Sequence, residues 1–310
     1  MSTSQVQTPP VAHQESEIKQ PLITPKMKRL FGLTTLQIVM TIVLISFLIP
    51  TLWMISSSLK ASTEIFVHPV VWIPKDPQWN NYLKIFKILP FGKFIVNTII
   101  VTGLAVLGTI VSSLMVGYSF ARLRWPGRTV FFSLMLATML LPEVITLVPR
   151  FILFRSLNEM RFLGLHWLDS FTPLIVPYWM GATALYIFLV VQFFRGIPME
   201  LEEAALIDGA NRLQILTQIL LPLSKPVIAT IAVFSLIQHY NSFLEPLIYL
   251  NSMDKWTLAL GIRALNDSNV QNWELVFSAG TLMLVPVLII FVIAQRYFVQ
   301  GIAMSGFGGR

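Results

Sequence analysis

The chain reads as an all-α integral membrane protein with six transmembrane helices, and three observations predict this. It is 55% hydrophobic and only 12% charged over 310 residues, with mean hydropathy +0.70. Average soluble domains carry roughly 25% charge. Six apolar stretches (34–57, 94–121, 129–149, 171–194, 226–250 and 274–298) each approach the ~20 residues that cross a bilayer core. Between the fourth and fifth stretches, 197–221 is polar and acid-bearing, and it carries the start and stop signals of two short helices. A membrane protein has little use for so elaborate a connection unless something docks there.

Taken in order, residues 1–33 are polar and rich in Pro, Ser and Gln, which predicts a disordered cytoplasmic tail rather than a cleaved signal peptide. The first span then serves as its own insertion signal. The first two spans contain no charged residue, whereas the third contains Glu143 and the fifth Glu245. Six spans place both termini on one side. That side holds twelve lysines and arginines against ten on the other, a narrow margin that favours cytoplasmic termini. Arg122, Arg124 and Arg128 crowd a single tight turn on the same side. The spans form one domain, 34–298, followed by a Gly-rich cytoplasmic tail, 299–310.

Several chemistries are excluded. There is no cysteine, hence no disulfide, thiolate metal site or cysteine nucleophile. His13, His68, His166 and His239 show no ligand spacing, so no metal is expected. The net charge of +7 belongs to residues flanking spans and does not call for nucleic acid. No G-x-x-x-x-G-K-[ST] phosphate loop occurs, so any ATP chemistry must come from a partner.

The 197–221 loop can be read residue by residue. Pro198 suits a first helical position, where its missing N–H costs nothing. Glu200, Glu202 and Glu203 fall in the first turns, at the positive end of the helix dipole. Gly209 can adopt φ > 0 and end that helix. Asn211 is a plausible N-cap for a second helix running to about Leu221, with Pro222 opening the next span. The first helix has no basic residue and no clean apolar stripe, which argues against a helix lying on lipid. Ala204 and Ala205 instead present a small, flat surface that permits close approach of another protein.

Within the spans, Gln238, Asn241, Glu245 and Tyr249 recur at three- and four-residue spacing and are expected on one helix face. Amides and carboxylates at bilayer depth must face a cavity or a partner. Two readings stand: a stripe lining a transport pathway for sugar hydroxyls, or polar glue between helices. Glu143 follows Pro142 and precedes Arg150 by seven residues, nearly two turns. A structural ion pair, a substrate or gating contact, and a proton relay are the alternatives there. Tyr178 and Trp179, between Pro177 and Gly181, are either a sugar-stacking platform or part of an interfacial aromatic belt. Arg150, Arg155 and Arg161 raise the case of an anionic substrate. Pro173, Pro177 and Pro286 suggest kinked helices.

The loop also carries a family pattern. Glu203-Ala204-Ala205, three residues, Gly209, nine residues, then Ile219-x-Leu221-Pro222 resembles the signature of the permease subunit of binding-protein-dependent ABC importers, oligosaccharide (maltose-type) branch. Asp208-Gly209-Ala210 fits its usual extension. Individually weaker similarities lie at Ser57–Lys60, Asn80–Tyr82, Gly117–Arg122, Asn241–Leu247 and Gln295–Gly301, so the resemblance covers about 34–306. It implies that 197–221 is the coupling loop. Glu203 would contact an ATPase, Ala204 and Ala205 would fit its groove, and Gly209 would make the turn between the two short helices. It implies a second homologous permease subunit, two ATPase subunits that bind the ATP and Mg, an extracytoplasmic binding protein, and a saccharide or polyol substrate. The location implied is a bacterial or archaeal plasma membrane, with surrounding lipid and no nucleic acid. The chain itself would be a transport subunit and not an enzyme. A permease for glycerol phosphate or an acidic saccharide is the alternative within the family. An ion-gradient secondary transporter is the alternative outside it, and would need paired carboxylates or broken helices at mid-membrane together with some internal repeat. The Gly-rich tail either reaches the ATPase interface or is disordered.

Overall fold

The computed structural model describes residues 25–181, 183–266 and 272–306. The chain divides into two units, Met1–Leu52 and Trp53–Arg310. Most of the tail expected at 1–33 lies outside the described residues. Helix α1, Pro25–Ser58, begins nine residues before the apolar stretch, and its last six residues belong to the second unit. Within the first unit the apolar helix has no described neighbour to bury against, and the side chains of Leu33–Leu52 are exposed apart from the half-buried Thr51. That suits a lipid-facing surface.

The second unit is built around one long helix. Short helix α2, Asn80–Ile88, leads into α3, Phe91–Arg122, which packs against α6 (Thr172–Trp179), α7 (Ala184–Arg195), α11 (Lys225–Tyr240) and α13 (Leu258–Asn266). Small residues make those approaches close. A Cβ on Gly108 would lie 2.4 Å from Trp179, and one on Gly117 would lie 2.5 Å from Val190. Close backbone approach of this kind is how helices associate where no hydrophobic effect drives them. The last helix, α14, runs from Trp273 to Gly306 and packs on α11, α13 and α2. It extends eight residues past the expected sixth span, into the segment expected to be a tail.

Two of the stretches singled out in the sequence meet in space. Asn81 donates from its amide to the carbonyls of Ser58 and Lys60 at 3.1 and 3.0 Å, and the Tyr82 hydroxyl is 2.7 Å from that of Ser58. Ser278 of α14 donates to the same Ser58 carbonyl. The carbonyls freed at the end of α1 are thereby satisfied by side chains rather than left buried and unpaired. Lys60 is fully buried, with its ammonium 3.8 Å from the Trp53 ring centre. Burial pushes its pKa down, and the nearby Glu64 partly offsets that.

Three of the expected spans are broken. In place of a helix over 129–149 there are α4, Arg128–Thr138, and α5, Glu143–Glu159, separated at Pro142, whose ψ of 132° is extended. The expected 171–194 span divides into α6 and α7 around Gly181, which sits at φ +81°. The expected 226–250 span divides into α11 and α12, Leu244–Tyr249. Pro246 explains this last break: it has no N–H for the Ser242 carbonyl, and its ring would clash there. Among the described residues, four helical segments are long and apolar enough to cross a membrane: Leu33–Ser58, Phe91–Arg122, Thr172–Arg195 and Trp273–Ile293. A fifth is the pair Arg212–Leu223 and Lys225–Tyr240, bent by 77° at Ser224.

Candidate functional site

The acidic loop folds as two short helices, with details that follow from its sequence. Helix α8 is Glu200–Ile207, with Met199 at its N-cap, so Pro198 lies just ahead of the helix rather than at its first position. The Ala210 N–H reaches the Ala205 carbonyl and the Gly209 N–H reaches that of Leu206, at 2.9 and 3.1 Å. This is a Schellman end, and it needs the positive φ that Gly209 supplies at +84°. Asn211 then makes a full capping box with Gln214: Asn211 Oδ1 accepts from the Gln214 N–H, and Gln214 Oε1 from the Asn211 N–H. The second helix comprises α9, Arg212–Gln214, a π turn, Ile215–Leu220, and α10, Leu221–Leu223. Pro222 lies inside this run and does not open the next span; α11 starts after the bend, at Lys225.

Exposure sorts the residues of this loop. Glu203, Ala204, Asp208, Gly209 and Pro222 face outward, while Ala205 and Ile219 are half-buried. Ala205 packs inward on the cluster of Tyr118, Phe194, Ile215 and Leu220. Ile207 is 86% exposed and Leu213 67%, large apolar side chains left uncovered by the described residues. Glu202 points the other way, fully buried, with Oε1 2.7 Å from Arg122 Nε.

The second region is a cavity of about 310 Å³ at the break between α11 and α12, lined by Tyr178, Gln238, His239, Asn241, Ser242 and Glu245 among others. Because the helix stops at Tyr240, Gln238, Asn241, Glu245 and Tyr249 do not form the continuous face expected of them. Three of the four still meet at the cavity. Tyr249 does not; it is buried beside Phe154. Glu245 Oε1 accepts from Arg150 at 2.9 Å and Oε2 from the Tyr178 hydroxyl at 3.1 Å. The Tyr178 ring meets His239 edge-on, with centres 4.2 Å apart, and Tyr186 donates to Gln238 at 3.0 Å. The result is a concave site with planar hydrogen-bonding groups and an aromatic face, at the small end of ligand pockets.

The neighbouring expectations divide. Tyr178 faces the cavity, but Trp179 turns away, lying over Gly108 and donating to the Leu104 carbonyl at 3.0 Å, so the two do not form one stacking platform. Glu143 begins α5, but its side chain lies outside the described residues, as does any pairing with Arg150 through it. Arg155 pairs along its own helix with Glu159. Outside the spans, Asp169 accepts from the N–H groups of Asn251 and Ser252, from the Ser252 hydroxyl and from Lys255 Nζ. Burial pushes its pKa up, but these bonds outweigh it and hold the carboxyl well below the usual range. This clasp, like the Arg122–Glu202 and Arg150–Glu245 pairs, joins residues more than 75 positions apart and leaves no local sequence signal.

Residues 113–304 match the family described as the inner membrane component of binding-protein-dependent transport systems. The chain belongs to that family. It is 32% identical, over 87% of its length and 92% of the relative's, to the sulfoquinovosyl glycerol transport system permease protein SmoH of Agrobacterium fabrum. It is 32% identical, over 78% and 86%, to the sn-glycerol-3-phosphate transport system permease protein UgpE of Yersinia enterocolitica. Among solved structures, a chain of a bacterial ABC transporter involved in import of the acidic polysaccharide alginate superposes with TM-score 0.76 at 25% identity, covering 90% of this chain and all of that one. The protein is thus a multi-pass, all-helical permease of a transport family and not of an enzyme family. Its broken helices, a feature asked of a secondary transporter, occur here within an ABC permease fold.

Proposed function

We propose that this permease carries a saccharide or related polyol into the cytoplasm, driven by ATPase subunits that dock on the 197–221 loop. The observation that carries the proposal is the outward face of that loop. Glu203, Ala204, Asp208 and Gly209 are exposed in a rigidly capped turn, flanked by the uncovered Ile207 and Leu213. Small and apolar groups beside a carboxylate suit a protein groove. In this reading the three broken segments each count as one span, giving six with both termini cytoplasmic. A second homologous permease completes the pathway, and an external binding protein delivers the substrate. The partner ATPases bind ATP and Mg; this chain performs no covalent chemistry. The cavity at Glu245, Asn241, Gln238 and Tyr178 lies on the route, where planar amide and carboxylate groups can exchange hydrogen bonds with hydroxyls. The saccharide assignment is supported by what the relatives' names say they carry.

An anionic cargo, glycerol phosphate or an acidic saccharide, is the second reading. Arg150, paired with the cavity-lining Glu245, and the names of the three similar proteins favour it, while the Glu245 carboxylate already set against that arginine favours a neutral substrate. Co-purification in mild detergent tests the main proposal, using Glu203→Lys and Gly209→Pro beside the parent chain. The parent should retain ATPase activity, and both variants should lose it while remaining folded. If no ATPase accompanies the parent, the importer reading fails. Equal stimulation of the purified complex by neutral sugars would eliminate the anionic one.

A further inference from the structure

Among the described residues, the best-buried ion pair sits where the docking loop meets the helix bundle. Arg122 ends α3, and Glu202 lies in the first turn of α8, eighty residues later. Their side chains are 5% and 1% exposed and touch at 2.7 Å. Neither Glu202 oxygen accepts an aligned hydrogen bond, so this charge contact is what offsets the burial of the carboxylate. The same guanidinium donates to the Ile197 carbonyl at 2.6 Å and to the Met199 sulfur at 2.6 Å. Arg122 therefore holds three points of 197–202 at once.

A buried ion pair is a weak source of stability but a strong constraint on register, because separating its members leaves two uncompensated charges away from water. Helix α8 cannot shift without either taking the end of α3 along or exposing that pair. Helix α3 in turn touches what lies further along it. Ser112 donates to the Tyr178 carbonyl at 2.7 Å, and Tyr178 holds Glu245 in the cavity. The Leu104 carbonyl accepts from Trp179. Near the far end, Asn97 donates to the carbonyls of Asp254 and Trp256, and Thr98 accepts from the Leu258 N–H.

We infer that Arg122, through Glu202, is the positioning residue that makes α3 the transmission rod between the docking loop and the cavity. The inference rests on the coupling role proposed for 197–221. It assigns force transfer to the buried side of α8, opposite the side that meets the ATPase. Docking and transmission should then be separable by mutation.

The test uses the whole importer complex in nanodiscs, with MgATP as the probe. The chain has no cysteine, so Leu244→Cys at the cavity is a unique reporter in this subunit, read by the mass shift on maleimide labelling. In the Leu244→Cys parent, MgATP should change the labelling rate by roughly tenfold, within the usual span for coupled sites. Arg122→Gln and Glu202→Gln should each bind the ATPase with affinity within about threefold of the parent yet lose most of the MgATP-driven change. The swapped pair Arg122→Glu/Glu202→Arg should restore part of it. Arg122→Lys keeps the charge but not the fork, and serves if the glutamine variants fail to fold; it should give an intermediate response. A full MgATP response in the folded single variants would overturn the inference, as would loss of ATPase binding with the response per bound ATPase unchanged. Failure of the parent itself to bind an ATPase would instead sink the proposed function.

Discussion

Ile207→Ala tests the docking face with a magnitude that can be worked from the structure. The side chain is 86% exposed at the end of α8, so truncation should leave the folding of the permease unchanged. The substitution removes three carbons. At ~0.8 kcal/mol per buried CH₂, scaled by that exposure, full coverage by the ATPase would make the loss about 2 kcal/mol. That corresponds to roughly 30-fold in Kd. The assay is titration of the purified ATPase onto the permease in nanodiscs, followed by interferometry, with thermal unfolding in parallel. Ile289→Ala on α14, also largely exposed, is the control and should leave Kd unchanged. A Kd for Ile207→Ala within about twofold of the parent would refute the claim that this face is the ATPase contact.

Two further predictions concern packing and pH. Gly108→Ala places a methyl 2.4 Å from the Trp179 ring, whereas Gly103→Ala on the same helix meets nothing within 4 Å. The first should destabilise by about 1–3 kcal/mol and the second should be neutral or slightly stabilising, measured as Tm in detergent; equal effects would show that the close approach is not constraining. For the Asp169 clasp, the folded carboxyl pKa is depressed, so its contribution is fully present above the ordinary aspartate value of about 3.9 and drains away as pH falls below it. Asp169→Asn should therefore lower Tm near neutrality and flatten its fall between about pH 5 and 3, and an unaltered acid slope would count against the clasp.

The parts of this protein that were legible beforehand are those encoded locally. The Gly209 turn and the Asn211 cap each depend on residues within a few positions of one another. The breaks have local signals too, Pro142 opening α5, Gly181 between α6 and α7, and Pro246 denying a donor to the Ser242 carbonyl, yet a hydropathy average passes over all three. The fifth stretch shows the consequence, since a spacing argument that assumed one unbroken helix placed Tyr249 with Glu245, and the structure puts it in the core. The buried pairs could not be read at all. Arg122 and Glu202 look like a surface arginine and a helix-start acid, and only the fold brings them together.

The break between α11 and α12 also bears on what the cavity can recognise. A helix that stops there leaves main-chain carbonyls without intrahelical donors, and such groups persist in a membrane protein only where water or protein reaches them. If the cavity lies on the proposed route, water occupies such groups until a solute arrives, and an incoming hydroxyl trades places with it at little net gain. A conduit of that kind would hold its cargo loosely and release it quickly. Discrimination among solutes would then fall to the external binding protein of the proposed importer, so that one such pathway could serve chemically different cargoes as that protein changes.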